Sequence, residues 1–123
     1  MSNNLINAYT QLLFNNDKIE ELDLSKFGIK NIDKFSVALC QHKSLKILNL
    51  SRNEIENIDK LSEALKVNKS LINLDLSFNK IKNIDKLVEA LLMNKTLKVL
   101  NLDYNNIFNL NKLQQIKHIK IFY

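Results

Sequence analysis

Few residues in this chain have the type and spacing to carry out covalent or metal chemistry. Cys40 and His42 come nearest to a thiol–imidazole couple, in which a base takes the thiol proton. They stand two positions apart, and on a helix side chains at i and i+2 diverge. Asp33, Asp59 and Asp85 recur at a fixed interval, each followed by a lysine. A hard cation needs several oxygens converging on one point, and a step of 26 residues holds these carboxylates apart. A phosphate-cradling loop needs several glycines, and Gly28 is the only one. The expectation is a non-enzymatic chain with no catalytic residue, no cofactor and no metal.

Length and composition bound the rest. The 123 residues suffice for one small domain, and 46% apolar with 25% charged residues is ordinary for a globular protein. One glycine and no proline argue against a β-sandwich or open barrel, whose many tight turns draw on both. A single cysteine cannot staple the fold internally, which points to packing for stability and a reducing compartment. Met1–Asn4 carries no basic leader, and no run of 18 apolar residues exists to span a membrane. The expected location is therefore intracellular and cytoplasmic.

A repeat organises the chain. Leu22, Leu48, Leu74 and Leu100 are each 26 residues apart, as are Leu24, Leu50, Leu76 and Leu102, and Ile29, Ile55, Ile81 and Ile107. Asn53, Asn79 and Asn105 hold one polar column. Within a unit, Leu74-Asp75-Leu76 alternates like a short strand, and Ile84, Leu87, Ala90 and Leu91 make an apolar helical stripe. Asp85 at the predicted helix start suits the positive end of the dipole and is expected to cap it, while Lys95 suits the far end. One unit cannot bury its own apolar faces, so stacked units form a parallel sheet backed by helices. Each Asn, able both to donate and to accept, is expected to satisfy backbone groups where the chain leaves the strand.

The LxxLxLxxN pattern at Leu45–Asn53, Leu71–Asn79 and Leu97–Asn105 resembles the leucine-rich repeat family. The helical half of each unit is similar to the ribonuclease-inhibitor-like subclass. The resemblance implies an α/β solenoid: a curved parallel sheet on the concave side and helices on the convex side. Ile6, Tyr9, Leu12 and Leu13 fall in a helical register, so residues 4–15 read as a helix that caps the first repeat. The predicted organisation is a single domain over 1–123, with a helical cap at 1–18. Repeats at about 19–44, 45–70, 71–96 and 97–118 follow, then a terminal short strand at 118–123. Leu110, Leu113 and Ile116 begin the last helix. The first unit departs from the pattern, with Phe27-Gly28 where Asn is expected.

The resemblance implies binding of a macromolecular partner on the concave face, by the residues flanking the strand leucines. Those columns read Glu21, Ile47, Asn73, Val99; Asp23, Asn49, Asp75, Asn101; Ser25, Ser51, Ser77, Asp103; and Lys26, Arg52, Phe78, Tyr104. Four acids against two bases leave this face near −2, although the chain carries +5 overall. Arg52, Phe78 and Tyr104 are the expected anchors of a protein-binding patch, with Asn49, Asp75, Asn101 and Asp103 around them. The partner is expected to be a protein of unspecified identity. The excess lysine lies in convex columns such as Lys34, Lys60, Lys86 and Lys112. Polyanion binding there is the weaker alternative, because no aromatic stacking platform accompanies the lysines; no nucleic acid and no membrane partner is expected. A second alternative is a structural role, as a fragment of a longer array or a unit that self-associates through an exposed C-terminal edge ending in Ile121-Phe122-Tyr123.

Overall fold

The computed structural model describes residues 2–123. Helix α1 (Ser2–Asn15) leads into β1 (Glu21–Asp23), and the alternation continues through α2 (Asp33–Gln41), β2 (Ile47–Asn49), α3 (Asp59–Val67), β3 (Asn73–Asp75), α4 (Asp85–Met93) and β4 (Val99–Asn101). A 3₁₀ turn over Leu110–Gln115 and strand β5 (Lys120–Phe122) complete the chain. The five strands form one parallel sheet in sequence order, β1 to β5. Leu22, Leu48, Leu74 and Leu100 stand opposite one another across it, so the sheet register is the sequence repeat itself.

The core follows from the columns. Leu48, Leu50, Leu74 and Leu76 are fully buried, together with Ile29, Ile32, Phe35, Leu61, Leu87 and Leu91 from turns and helices. Helices α2 to α4 all start at an Asp and run nine residues, and each packs its Ala and Leu inward against the sheet.

The helix starts differ from expectation. The carboxylates of Asp33, Asp59 and Asp85 do not cap their own helices. Asn31, Asn57 and Asn83, two residues earlier, accept the Asp N–H groups through Oδ1 at 2.8–2.9 Å. An acid in the first helical position gains from the dipole without folding back, while a residue outside the helix has the extended geometry that a cap needs. Asp85 is thereby free to accept from Lys112 Nζ and from Asn109 Nδ2 at 2.8 Å, tying α4 to the 3₁₀ turn. At the other end Lys95 Nζ donates to Leu92 O at 3.2 Å, as its position predicts.

The last unit is compressed. Leu100 pairs with Ile121, 21 residues on instead of 26. The helix expected from Leu110, Leu113 and Ile116 is accordingly a six-residue 3₁₀ turn, Leu110–Gln115. Six residues at about 2.0 Å rise cover about 12 Å, close to the roughly 13.5 Å of a nine-residue α-helix. A tighter winding thus spans the layer with fewer residues. Leu113 and Ile116 remain buried, and β5 lies within the predicted 118–123 segment.

The first unit's departure has a physical reason. Asn53, Asn79 and Asn105 each send Nδ2 to a leucine carbonyl of the preceding repeat, Leu24, Leu50 and Leu76, at 3.0 Å. The same groups reach the carbonyls of Leu50, Leu76 and Leu102 in their own repeat at 2.9–3.1 Å. Their Oδ1 atoms accept from Ile29, Ile55 and Ile81 N–H at 2.9–3.0 Å. No strand precedes β1 among the described residues, so its unit has no such carbonyl to satisfy. Phe27 instead stacks on Tyr9 of α1, with ring centroids 5.8 Å apart.

A second polar column was not anticipated. Asn68 and Asn94 are buried at the helix C-termini. Asn68 Nδ2 donates to Leu39 O and Asn94 Nδ2 to Leu65 O, both at 2.7 Å. Their Oδ1 atoms accept from the N–H groups two and three residues on. His42 occupies the equivalent place. Its Nδ1 accepts from Leu45 N–H at 3.1 Å, so the ring proton sits on Nε2, which donates to Asn16 O at 2.7 Å.

These networks set measurable stabilities. Leu50→Ala or Leu76→Ala is expected to cost about 2–5 kcal/mol, and Asn79→Leu about 1–3 kcal/mol through stranded backbone groups; both are read by urea unfolding. Lys112 acts on Asp85 chiefly through their hydrogen bond, which holds the carboxyl below its ordinary value of 3.8. A carboxyl whose folded pKa is depressed stabilises the native state above its unfolded value and loses that contribution as pH falls through the folded value. Lys112→Met is therefore expected to lower the melting temperature at neutral pH, and the gap from wild type should narrow as pH drops below about 4.

Candidate protein-interaction face

The concave face begins with a backbone constraint. Each of β1 to β4 leads into a turn containing a residue in the left-handed conformation: Lys26 at φ 64°, Arg52 at 57°, Phe78 at 56° and Tyr104 at 61°. Non-glycine residues pay about 1–2 kcal/mol for this region. Two sets of hydrogen bonds hold them there. Arg52 N–H donates to Ser77 O at 3.0 Å and Phe78 N–H to Asp103 O at 2.9 Å, so each turn is pinned to the next repeat. Just before each turn, Asp23, Asn49, Asp75 and Asn101 accept through Oδ1 from the N–H two residues on, at 2.9–3.0 Å.

Repetition of that turn aligns three side chains. Phe78 and Tyr104 stack with centroids 4.3 Å apart and planes 13° from parallel. Arg52 lays its guanidinium over the other side of Phe78, 4.0 Å from the ring centroid. The order Arg52–Phe78–Tyr104 thus forms one continuous stack running across three repeats. Phe78 remains 37% exposed and Tyr104 73%. Such contacts contribute about 0.5–1.5 kcal/mol for the aromatic pair and about 0.5–1 kcal/mol for the exposed cation–π contact. They hold the surface rigid without burying it.

The four surrounding candidates are less uniform. Asn49, Asp75 and Asn101 are half-buried and each spends an oxygen on its own turn. Asp75 also accepts from Ser77 Oγ at 2.6 Å. They therefore shape the turns beneath the stack, with their remaining polar atoms beside it. Asp103 is half-buried and anchors Phe78 through its backbone carbonyl.

The groups that opened the sequence argument lie elsewhere. His42 spends both ring nitrogens on backbone partners, which removes it as a base for the half-buried Cys40. Among the described residues no three His, Cys, Asp or Glu side chains gather as a metal site. No described helix is long and apolar enough to cross a membrane. The convex and loop lysines are partly matched by acids: Lys80 with Glu54 at 3.5 Å, Lys82 with Glu56 at 3.2 Å, Lys60 with Glu63 at 3.5 Å, and Lys112 with Asp85.

A family model described as Leucine Rich repeat matches residues 41–58, 67–84 and 94–108. Each window runs from a helix C-terminus through a strand to the turn beyond Asn53, Asn79 or Asn105. The chain carries leucine-rich repeats. No curated protein sequence matches it. Among solved structures, leiomodin-1 actin-binding site 2 superposes with TM-score 0.83 at 20% identity, over 97% of this chain and 79% of that one. The tropomodulin C-terminal domain from Caenorhabditis elegans follows at 0.77 and 14%, over 95% and 81%. The Mex67 leucine-rich-repeat domain from Chaetomium thermophilum gives 0.63 and 19%, over 94% and 89%. These likenesses establish the solenoid fold.

Sequence reasoning missed the left-handed turn column. No residue type signals it, because Lys26, Arg52, Phe78 and Tyr104 stand where glycine would mark a positive φ. Lys26 is exposed at the same backbone angle as the stacked residues. Lys26→Gly is expected to stabilise the fold by about 0.5–1 kcal/mol by removing the Cβ clash, raising the thermal midpoint.

Proposed function

We propose that the chain is a non-catalytic protein-interaction module that binds a protein partner through its concave face. The observation that supports this is the exposed, pre-ordered stack of Arg52, Phe78 and Tyr104. Aromatic and arginine side chains dominate the energetics of protein interfaces. Anchors already held in place lose little rotamer freedom on binding, so more of the contact energy appears as affinity. Around the stack, Asn49, Asp75, Asn101 and Asp103 supply a polar rim. The face carries its own acidic balance, which favours a partner surface offering apolar contacts and basic or neutral polar groups.

The matched solenoids include an actin-binding site of leiomodin-1 and Mex67, solved also together with Mtr2. At 14–22% identity they speak for the scaffold, and a scaffold hosts many partners. The pairing of several convex and loop lysines with acids weighs against a polyanion site there.

The test is affinity capture from native lysate by wild type and by Phe78→Ala/Tyr104→Ala, both checked for equal melting behaviour. Once a captured protein is identified, titration calorimetry with the purified pair is expected to show at least tenfold weaker binding for the double variant, since each anchor is worth about 1 kcal/mol or more. Equal affinity of the two proteins for that partner would move the binding face elsewhere.

A further inference from the structure

The two ends of the solenoid are complementary. Helix α1 stacks on α2 much as α2 stacks on α3, yet among the described residues no strand precedes it. At the other end β5 pairs with β4, and among the described residues no helix follows it. Among the described residues, one end thus presents a helix without a strand before it, and the other a strand without a helix after it. Both outer strands are sheet edges. Their central apolar residues, Leu22 and Ile121, are half-buried against the core, whereas Leu48, Leu74 and Leu100 between them are fully buried.

The polar groups match as well. The β1 edge is acidic, with Glu20, Glu21 and Asp23, and the β5 edge is basic, with Lys117 and Lys120. The sheet already uses this kind of pairing internally, since Lys46 Nζ on the β2 side lies 3.8 Å from Glu20 Oε1 on the β1 side. Asn16 adds an independent observation. Its Oδ1 accepts from Lys18 N–H at 2.9 Å, as Asn68 Oδ1 does from Ser70 N–H. Asn68 Nδ2 also reaches back to Leu39 O and His42 O of the preceding repeat, at 2.7 and 3.2 Å. The exposed Asn16 has no preceding repeat among the described residues.

We propose that the β5 edge of one copy pairs in parallel with the β1 edge of a second copy, continuing the solenoid head to tail. The register that continues β1–β2 sets Lys120 opposite Glu21, Ile121 opposite Leu22, and Phe122 opposite Asp23. Within the sheet Ile47 N–H donates to Glu20 O at 3.0 Å and Leu24 N–H to Asn49 O at 2.8 Å. Carried across the junction, Glu21 N–H donates to Ile119 O, and Tyr123 N–H to Asp23 O. The composite repeat has its strand from one copy and its helix α1 from the other. The junction is heterologous, so it adds copies along one axis and does not close at a dimer.

Strand geometry supplies a clean test. Lys120 N–H donates to Lys98 O, and Phe122 O accepts from Leu102 N–H, so both face β4. Alternation along a parallel strand turns the Ile121 N–H outward. Ile121→Pro removes that donor while sparing the β4–β5 ladder, as proline is tolerated with its nitrogen on the open side of an edge strand. Sedimentation velocity of the 123-residue chain over a wide concentration range is the measurement. Wild type is expected to show a sedimentation coefficient that rises with concentration without a plateau at the dimer, and Ile121→Pro to stay monomeric with an unchanged circular dichroism spectrum. Glu21→Lys and Lys120→Glu, both at exposed positions, are each expected to weaken association roughly fivefold, and the combined charge swap to recover it. A wild type that stays monomeric up to its solubility limit overturns the proposal. So does association that ignores the charge reversals, or that is lost in Phe78→Ala/Tyr104→Ala while the edge variants still associate.

Discussion

The stacking of successive repeats in this protein depends on one contact: an asparagine amide shared between two consecutive turns. Asn53, Asn79 and Asn105 each join a leucine carbonyl of the repeat before to one of their own, and accept from an isoleucine N–H of the repeat before. The strands are only three residues long, so their own ladders contribute few bonds. Where the chain turns inward after each strand, backbone groups enter an apolar interior without ladder partners, and leaving them unpaired is costly. The asparagine side chain satisfies donor and acceptor together, which no apolar residue and no aspartate could do.

The consequences run outward from there. With the turn fixed from below, one of its residues is held in a left-handed conformation that is unfavourable for a residue with a Cβ. That conformation is repeated four times in register, so the side chains it carries fall above one another across adjacent strands. Arg52, Phe78 and Tyr104 meet because identical turns recur at the strand spacing, not because any of them seeks the others out. The scaffold thus converts a one-dimensional repeat into a two-dimensional surface. The residues on that surface are under no obligation to the core, and this is how such a fold can carry many different partners.

The ends show the same logic in its absence. The first unit, with no strand before it among the described residues, has Phe27 in place of the asparagine and packs it on Tyr9 of the first helix. The unit five residues short winds as a 3₁₀ turn in place of an α-helix and keeps its apolar layer buried. Each adjustment preserves the buried columns and changes only how the chain gets between them. The side chains at the helix termini tell a similar story. His42 stands in the column of Asn68 and Asn94 because a neutral imidazole, like an amide, offers one donor and one acceptor.

Much of this was legible in the sequence. The 26-residue columns of Leu and Ile identify strand, helix and parallel sheet, because burying stacked apolar faces admits few arrangements. The bridging role of the Asn53, Asn79 and Asn105 column follows from the hydrogen-bonding capacity of an amide where a chain leaves a strand. The caps were misread: Asp33, Asp59 and Asp85 sit at the helix starts, but the capping atoms belong to asparagines two residues earlier, since periodicity locates a helix more finely than it locates its first turn. The second amide column, at His42, Asn68 and Asn94, escaped notice because a histidine interrupts its run of asparagines. The cation–aromatic–aromatic stack was suggested by a column of residue types, yet its 4.0 and 4.3 Å contacts exist only because tertiary hydrogen bonds hold successive turns at left-handed angles. Local pattern determines which residues are buried, because burial repays a type of residue wherever it falls in the repeat. How exposed side chains meet is decided by backbone angles that the assembled neighbours impose.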